Sequence, residues 1–256
     1  MTGQLERSLR AKRDAGRKLL VPYITGGYPG WQAAIRAAAA NGADAVEIGI
    51  PFSDPVMDGP VIQQASQAAL DEGVTPASIL DEVPHLDVEI PLAVMTYYNL
   101  VHHPGPKRFA ENLVAAGICA AILPDLPLEE CEPWCAAADV AGVETIMLAA
   151  PTAPDERLPR IIERARGFVY SVGLLGVTGE RSALAATATE LAGRLKQITD
   201  TPVLVGVGVS DAAQAFEATR VADGVIQGAS VVRRLMEDGP DSVGDYVAEV
   251  RASIDR

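Results

Sequence analysis

Cysteine, histidine and long hydrophobic runs are all scarce in this chain of 256 residues. Three cysteines, at positions 119, 131 and 135, are too few for a disulfide framework and suit a reducing compartment such as the cytoplasm. Its three histidines show no ligand spacing with a carboxylate, so no metal site is predicted. Apolar runs stop short of the roughly 18 residues of a membrane span, and the first residues lack the apolar region of a signal peptide. A secreted, membrane-spanning or metal-dependent protein is therefore disfavoured.

Basic residues are scarce as well. Lysine and arginine total 21 against 34 acidic residues, which gives a net charge of −13 and disfavours nucleic-acid binding. All lysines fall in predicted helices or at helix starts, so none is placed for Schiff-base chemistry: Lys12, Lys18, Lys107 and Lys196. Neither a Gly-x-x-x-x-Gly-Lys loop nor a Gly-x-Ser-x-Gly elbow occurs. Cofactor-free general acid–base chemistry remains open.

Short β-rich runs alternate with alanine-rich helical segments along the whole chain. Eight strands are predicted, at residues 19–25, 45–50, 92–96, 120–123, 144–148, 168–171, 203–207 and 224–226. Eight strand–helix units in about 250 residues are typical of a TIM (β/α)8 barrel, whereas a doubly wound sheet has fewer strands. We therefore expect one TIM-barrel domain over residues 1–256, with an extra charged surface helix near residues 5–18 and an extra C-terminal helix from about residue 241.

The second predicted strand contains a carboxylate that needs an explanation. Alternation places Val46, Ile48 and Ile50 on one face and Glu47 with Gly49 on the other. A lone buried carboxylate must find a partner or titrate with a raised pKa, and such groups mark catalytic sites. A proline-rich loop follows and carries Asp58, eleven positions after Glu47. We expect the two carboxylates to form an acid–base pair with separated pKa values.

Further candidates stand where barrel strands end, which is the functional face of this fold. They are the segment 97–99 (Tyr-Tyr-Asn), Asp125 and Tyr170. Two connections, residues 51–60 and 172–186, are long enough to act as loops that close over a site. Glycine-containing turns follow the last two predicted strands, at residues 206–211 and 228–230, and favour a substrate phosphate held by backbone N–H groups.

Taken together, these motifs resemble the tryptophan synthase alpha subunit family from near the first strand to the last helix. The most specific match is the run Glu-Ile-Gly-Ile-Pro-Phe-Ser-Asp-Pro at residues 47–55, followed by Asp-Gly-Pro at 58–60. Residues 22–29, 97–100, 125–130 and the Gly-Val-Thr-Gly segment at 176–179 match in the same order. The resemblance implies cleavage of indole-3-glycerol phosphate to indole and glyceraldehyde 3-phosphate, with no metal or organic cofactor.

The resemblance also implies roles for individual residues. Asp58 would take the ring N–H proton, Glu47 would exchange protons with the indole C3 atom and the side-chain hydroxyl, and Tyr170 would position Glu47. Tyr23 and Leu100 would hold the indole ring, Thr178 would lie in the closing loop, and the phosphate would rest on Gly179, Gly208, Gly228 and Ala229. A pyridoxal-phosphate beta subunit would receive the indole, in an α2β2 heterotetramer, across a surface that includes Pro51, Asp54, Pro55, Asn99 and Asp125.

Some positions depart from the family pattern. Ala229 precedes Ser230 where the family commonly has the serine first, Met57 is bulkier than usual, and Leu174 and Leu175 replace polar residues. Other functions also stay open from the residues alone. The chain could be a sugar-phosphate isomerase with Glu47 as the enolising base, a non-catalytic activator of a partner enzyme, or a stand-alone lyase that produces indole without a partner.

Overall fold

A computed structural model describes residues 2–173, 181–206 and 208–256. Eight parallel strands close into a barrel in sequence order, because the eighth strand pairs with the first. They are β1 (Leu19–Thr25), β2 (Val46–Gly49), β3 (Leu92–Met95), β4 (Ala120–Ile122), β5 (Glu144–Ala149), β6 (Val169–Val172), β7 (Val203–Gly206) and β8 (Gly224–Gln227). The predicted TIM barrel is therefore confirmed, and no strand bound differs from its predicted position by more than one residue.

Helices surround the barrel. They are α1 (Gln4–Asp14), α2 (Trp31–Ala40), α3 (Pro60–Asp71), α4 (Pro76–Glu82), α5 (Tyr98–His102), α6 (Pro106–Ala115), α7 (Glu132–Ala141), α8 (Arg157–Arg164), α9 (Arg181–Lys196), α10 (Ala212–Thr219), α11 (Ala229–Asp238) and α12 (Pro240–Ile254). The extra terminal helices α1 and α12 are confirmed. Helix α5 occupies a segment that we expected to be a loop, and α9 begins at Arg181, inside the connection that we expected over residues 172–186. In the part of the chain that the structure describes, no helix is long and apolar enough to cross a membrane.

The strands are buried on both faces, as is usual for parallel sheets. Their outward side chains, such as Val46 and Ile48, join the helices in one large apolar core. Their inward side chains form a second, smaller core within the barrel, which includes Ile122, Ile146 and Leu204. The alternation predicted for β2 is confirmed, and it directs Glu47 into the barrel.

Helix α1 differs from the expected surface helix because one of its faces is buried. Leu5 and Leu9 are fully buried and pack with residues at the amino-terminal ends of the strands. Glu144 of β5 fixes the start of the helix, since its carboxylate accepts hydrogen bonds from the backbone N–H groups of Leu5 (2.6 Å) and Glu6 (2.9 Å). Helix α1 therefore covers the amino-terminal end of the barrel and leaves the carboxyl-terminal end for a site.

Candidate active site

Glu47 lies on β2 inside the barrel, between Tyr23 of β1 and Ala93 of β3 in the strand register. Its side chain is fully buried, and neither carboxyl oxygen has a hydrogen-bond partner among the described residues. Burial without compensation penalises the charged form and raises the pKa of Glu47 to about 8. Glu47 is therefore a neutral carboxylic acid near pH 7 and can release its proton at modest cost.

Two tyrosines, Tyr23 on the adjacent strand β1 and Tyr170 on β6, lie near this carboxyl group, and each packs over a glycine of the next strand. A Cβ atom on Gly49 would lie 1.8 Å from the Tyr23 hydroxyl, and one on Gly206 would lie 2.4 Å from the Tyr170 hydroxyl. Burial raises the pKa of both phenols, and the charges of Glu47 and Asp58 raise them further. Glycines at 49 and 206 therefore make room for two neutral phenols that share the electrostatic environment of Glu47.

Asp58 belongs to the loop between β2 and α3 and is only partly exposed. Desolvation raises the pKa of its carboxyl group, while a hydrogen bond from the Tyr97 side chain lowers it. Tyr97 also accepts a hydrogen bond from the Met57 backbone N–H at 3.1 Å, and its ring stacks on Phe52 with centroids 5.1 Å apart. Tyr97 thus holds the Asp58 loop, a role that the sequence analysis did not assign to it.

The helix starts after β7 and β8 differ in what satisfies their N–H groups. At α10, the Asp211 side chain caps the helix by accepting from the Gln214 N–H at 2.8 Å. At α11, Gly228 occupies the N-cap position, and no side chain of the described residues caps the helix. Gly208 has φ +87°, a conformation that favours glycine. Of the predicted phosphate ligands, Gly228 and Ala229 therefore offer a free helix start, whereas Thr178 and Gly179 lie outside the described residues.

Leu100 is not where the sequence analysis placed it. It sits on α5, packs against the outer core, and lines a groove with Leu80 and Phe109 on the helical side of the barrel. Met95, at the end of β3, instead packs with both the inner core and the cluster around Tyr23. The inward position of Met95 could have been predicted from the sequence, because alternation along β3 from Ala93 directs Met95 into the barrel.

Ser230, at one of the positions that depart from the family pattern, and the predicted interface residues all lie after the carboxyl ends of strands. Ser230 on α11 has a buried hydroxyl near the Tyr246 phenol of α12, and this hydroxyl has no hydrogen-bond partner among the described residues. Asp125 accepts two hydrogen bonds from the Tyr98 backbone N–H, at 2.9 and 3.1 Å, and so caps α5. The predicted interface residues follow β2, β3 and β4, where Pro51 is buried, Pro55 is half-buried, and the other three are exposed: Asp54, Asn99 and Asp125. The departures at Leu174 and Leu175 lie outside the described residues.

Fold and site together define a TIM-barrel enzyme with a desolvated carboxylic acid inside its barrel. The family model for "Tryptophan synthase alpha chain" matches residues 9–253, and the chain belongs to this family. It is accordingly a lyase of tryptophan biosynthesis, of the subunit type that cleaves indole-3-glycerol phosphate.

Similar proteins agree over nearly the full length. The tryptophan synthase alpha chain of Thermobifida fusca is 43% identical, with 98% of this chain and 97% of the relative covered. That of Streptomyces coelicolor is 44% identical, with coverage of 94% and 90%. A solved structure of Mycobacterium tuberculosis tryptophan synthase superposes with a TM-score of 0.91 at 38% identity, covering 100% of both chains.

Proposed function

We propose that Glu47 and Asp58 cleave indole-3-glycerol phosphate to indole and glyceraldehyde 3-phosphate, without a metal or an organic cofactor. One observation carries the proposal: a fully buried carboxyl group with no hydrogen-bond partner among the described residues has a pKa near 8. A structural carboxylate would be paired, because an unpaired one opposes folding. A group that gives a proton to carbon and takes one back needs a pKa near the operating pH instead.

In the first stage the indole ring becomes an electron sink. Glu47, which is protonated near neutral pH, donates its proton to C3 of the ring, while Asp58 removes the proton from the ring nitrogen. The product is an indolenine with a C=N bond and a tetrahedral C3. Asp58 suits the removal of the ring N–H proton because the hydrogen bond from Tyr97 favours the charged, proton-accepting form of its carboxyl group.

In the second stage the carbon–carbon bond breaks. The Glu47 carboxylate takes the proton of the hydroxyl group next to C3, a carbonyl forms there, and the electron pair of the broken bond moves into the ring. The ring nitrogen takes its proton back from Asp58, so both carboxyl groups return to their starting states. Tyr170 positions Glu47, which is consistent with its neutral phenol beside that carboxyl group.

The rest of the substrate is bound by the strand ends. Tyr23 and Met95 of the inner cluster provide apolar contacts for the indole ring. The phosphate rests on backbone N–H groups of Gly208, Gly228 and Ala229, supported by the uncapped start of α11 with its favourable dipole. Thr178 and Gly179 complete the phosphate site in this proposal.

We further propose that the chain works in the cytoplasm as a single domain, paired with a pyridoxal-phosphate beta subunit in an α2β2 heterotetramer. The rim formed by Pro51, Asp54, Pro55, Asn99 and Asp125 is the interface, and indole passes across it. The exposed apolar side chains of Val56 (72%) and Met57 (37%) on this rim support a partner surface. Contact there would act on catalysis through the Met57–Tyr97 hydrogen bond next to Asp58.

Indole release from indole-3-glycerol phosphate tests the proposal, with the purified chain alone and with a tryptophan synthase beta subunit. Slow release that rises steeply with the partner supports a lyase subunit under allosteric control. Glu47→Gln should abolish release and still stimulate the partner's own reaction. Fast release by the chain alone indicates a stand-alone indole producer. No release under either condition overturns the lyase and favours the activator, or the isomerase if a triose phosphate is interconverted.

A further inference from the structure

The two loops that would hold the substrate phosphate are not joined to each other by strand pairing. Among the described residues, pairing between β7 and β8 ends at Val205 and Val225. The chain then turns at Gly208 after β7, and β8 runs on to the residue before Gly228. The proposed phosphate ligands on these loops are glycines and an alanine, which have no polar side-chain atom. A phosphate here would depend on backbone N–H groups, and thus on how well the two loops keep their relative position.

The hydroxyl group of Tyr246, on the extra helix α12, connects the two loops. It donates a hydrogen bond at 3.1 Å to the carbonyl oxygen of Ser210, which lies two residues after Gly208. It accepts a hydrogen bond at 2.9 Å from the side-chain Nε2 of Gln227, which directly precedes Gly228. The directions are fixed by chemistry, because a carbonyl oxygen can only accept and the phenol has one proton to give. A single hydroxyl group therefore contacts both loops within two residues of their glycines.

The groups on either side of this hydroxyl are themselves held in place. Tyr246 and Gln227 are each 1% exposed. The guanidinium group of Arg234 lies 4.2 Å from the centroid of the Tyr246 ring, so the ring is packed between α11 and the rest of α12. Ser210 is also bound from its other side, since its backbone N–H and its hydroxyl both contact Oε1 of Gln214 on α10, at 2.8 and 3.0 Å. The loop after β7 is therefore fixed at one residue by two different helices.

We propose that Tyr246 is a positioning residue for the substrate phosphate. Through the Ser210 carbonyl and the Gln227 amide, its hydroxyl sets the distance between the backbone N–H groups near Gly208 and those near Gly228. The inference rests on the proposed function, because it requires the phosphate to bind between these loops. Without the hydroxyl, each loop keeps its other contacts but can move relative to its neighbour, so the phosphate loses a preorganised site. Because the phosphate does not react, substrate and transition state should lose the same binding energy.

The variant Tyr246→Phe tests the proposal, because it keeps the ring and its contact with Arg234 and removes only the hydroxyl. In the full chain, binding of glycerol 3-phosphate, followed by ³¹P NMR titration, should weaken about 2- to 10-fold. Binding of indole, followed by ¹H NMR titration, should stay the same. The KM for indole-3-glycerol phosphate should rise by the factor seen for glycerol 3-phosphate, while kcat changes by less than about 2-fold.

A matched control is available on the same helix. The hydroxyl of Ser242 on α12 contacts the carbonyl oxygens of Arg234 and Gly239, at 3.1 and 2.7 Å, and neither phosphate loop. Ser242→Ala should therefore leave both affinities, KM and kcat as they are in the unmodified chain. If it weakens glycerol 3-phosphate binding as much as Tyr246→Phe does, a general loosening of α12 explains the effect and the proposal is wrong.

A second variant reaches the same hydrogen bonds from the other end. Gln227→Met keeps nearly the length of the side chain and removes the donor to Tyr246, so it also tests the proposal if Tyr246→Phe does not fold. It should weaken glycerol 3-phosphate binding and spare indole binding. If both side chains act through one chain of hydrogen bonds, the double variant should lose less affinity than the product of the two single losses.

The remaining outcomes separate this inference from the proposed function. Equal affinity of the unmodified chain and Tyr246→Phe for glycerol 3-phosphate overturns the positioning role and leaves the proposed function standing. Equal weakening of glycerol 3-phosphate and indole also overturns it, because the loss would then be a general effect on the barrel. If the unmodified chain does not bind glycerol 3-phosphate, the proposed phosphate site is wrong, and the role of Tyr246 is refuted with it.

Discussion

Ionisation of Glu47 opposes folding, which makes stability a direct test of the environment described for this carboxyl group. In the unfolded chain the pKa is near its ordinary value of 4.5, whereas burial raises it to about 8 in the folded protein. Between these two values the folded state binds more protons than the unfolded state does. The free energy of unfolding contributed by Glu47 must therefore fall as pH rises from about 4.5 to about 8.

The size of this effect follows from the two pKa values. One pKa unit corresponds to ~1.4 kcal/mol. The rise from 4.5 to about 8 thus corresponds to a loss of ~5 kcal/mol above pH 8, and to ~3 kcal/mol at pH 7. Glutamine has nearly the same shape as a protonated glutamate and does not titrate. Glu47→Gln should therefore stabilise the protein by these amounts at the same pH values, while it removes the proton that the proposed mechanism uses.

Urea denaturation at several pH values between 4 and 9 measures this difference. The stability gap between Glu47→Gln and the unmodified chain should be near zero at pH 4.5, grow by about 1.4 kcal/mol per pH unit, and level off above pH 8. Glu249→Gln is the control, because that side chain is exposed on α12 and its gap should stay flat. A gap for Glu47→Gln that does not change with pH would refute the argument that Glu47 is desolvated and unpaired.

Four further outcomes are expected. The value of kcat/KM should decline as pH rises through about 8, because Glu47 loses its proton there, and a pH-independent plateau to pH 9 would contradict this. Asp58→Asn should lower indole release by about 10²- to 10⁴-fold in a single-turnover assay, yet leave Tm nearly unchanged because the residue is partly exposed. Tyr97→Phe removes the hydrogen bond that lowers the pKa of Asp58, so the acidic limb of the pH–rate profile should move to higher pH. Gly49→Ala should displace the Tyr23 ring, visible in a crystal structure as a new rotamer, and reduce kcat/KM for the substrate.

Much of the architecture could be predicted from the sequence because it rests on local periodicity. The alternation within β2 determines which face Glu47 occupies, and a single carboxylate in an apolar strand is visible without a structure. The extra helix α1 was expected for the same reason, but its buried face was not. Its charged residues mask the two leucines, and the carboxylate that fixes its start comes from Glu144, more than 130 positions away.

The features that sequence reasoning missed depend on distant parts of the chain. Helix α5 has only five residues and is stabilised at its start by Asp125, 27 positions later, so no local signal marks it. Leu100 was expected beside the indole ring because of the family resemblance, but α5 turns it to the outer side. Tyr97 looks like any aromatic residue at a strand end until its contacts with Met57 and Asp58 are known.

The chemistry proposed at the open end of the barrel depends on how the other end is closed. Glu47 has a raised pKa because its side chain is fully buried in the barrel. From below, Phe168 is fully buried with its ring 6.1 Å from that of Tyr170, and Leu5 and Leu9 of α1 fill the last layer. The Glu144 carboxylate holds α1 in this position, because it accepts hydrogen bonds from backbone N–H groups at the helix start that have no partner within the helix. The raised pKa of Glu47 is thus a property of the packed barrel as a whole, and a change far from the proposed active site can alter it.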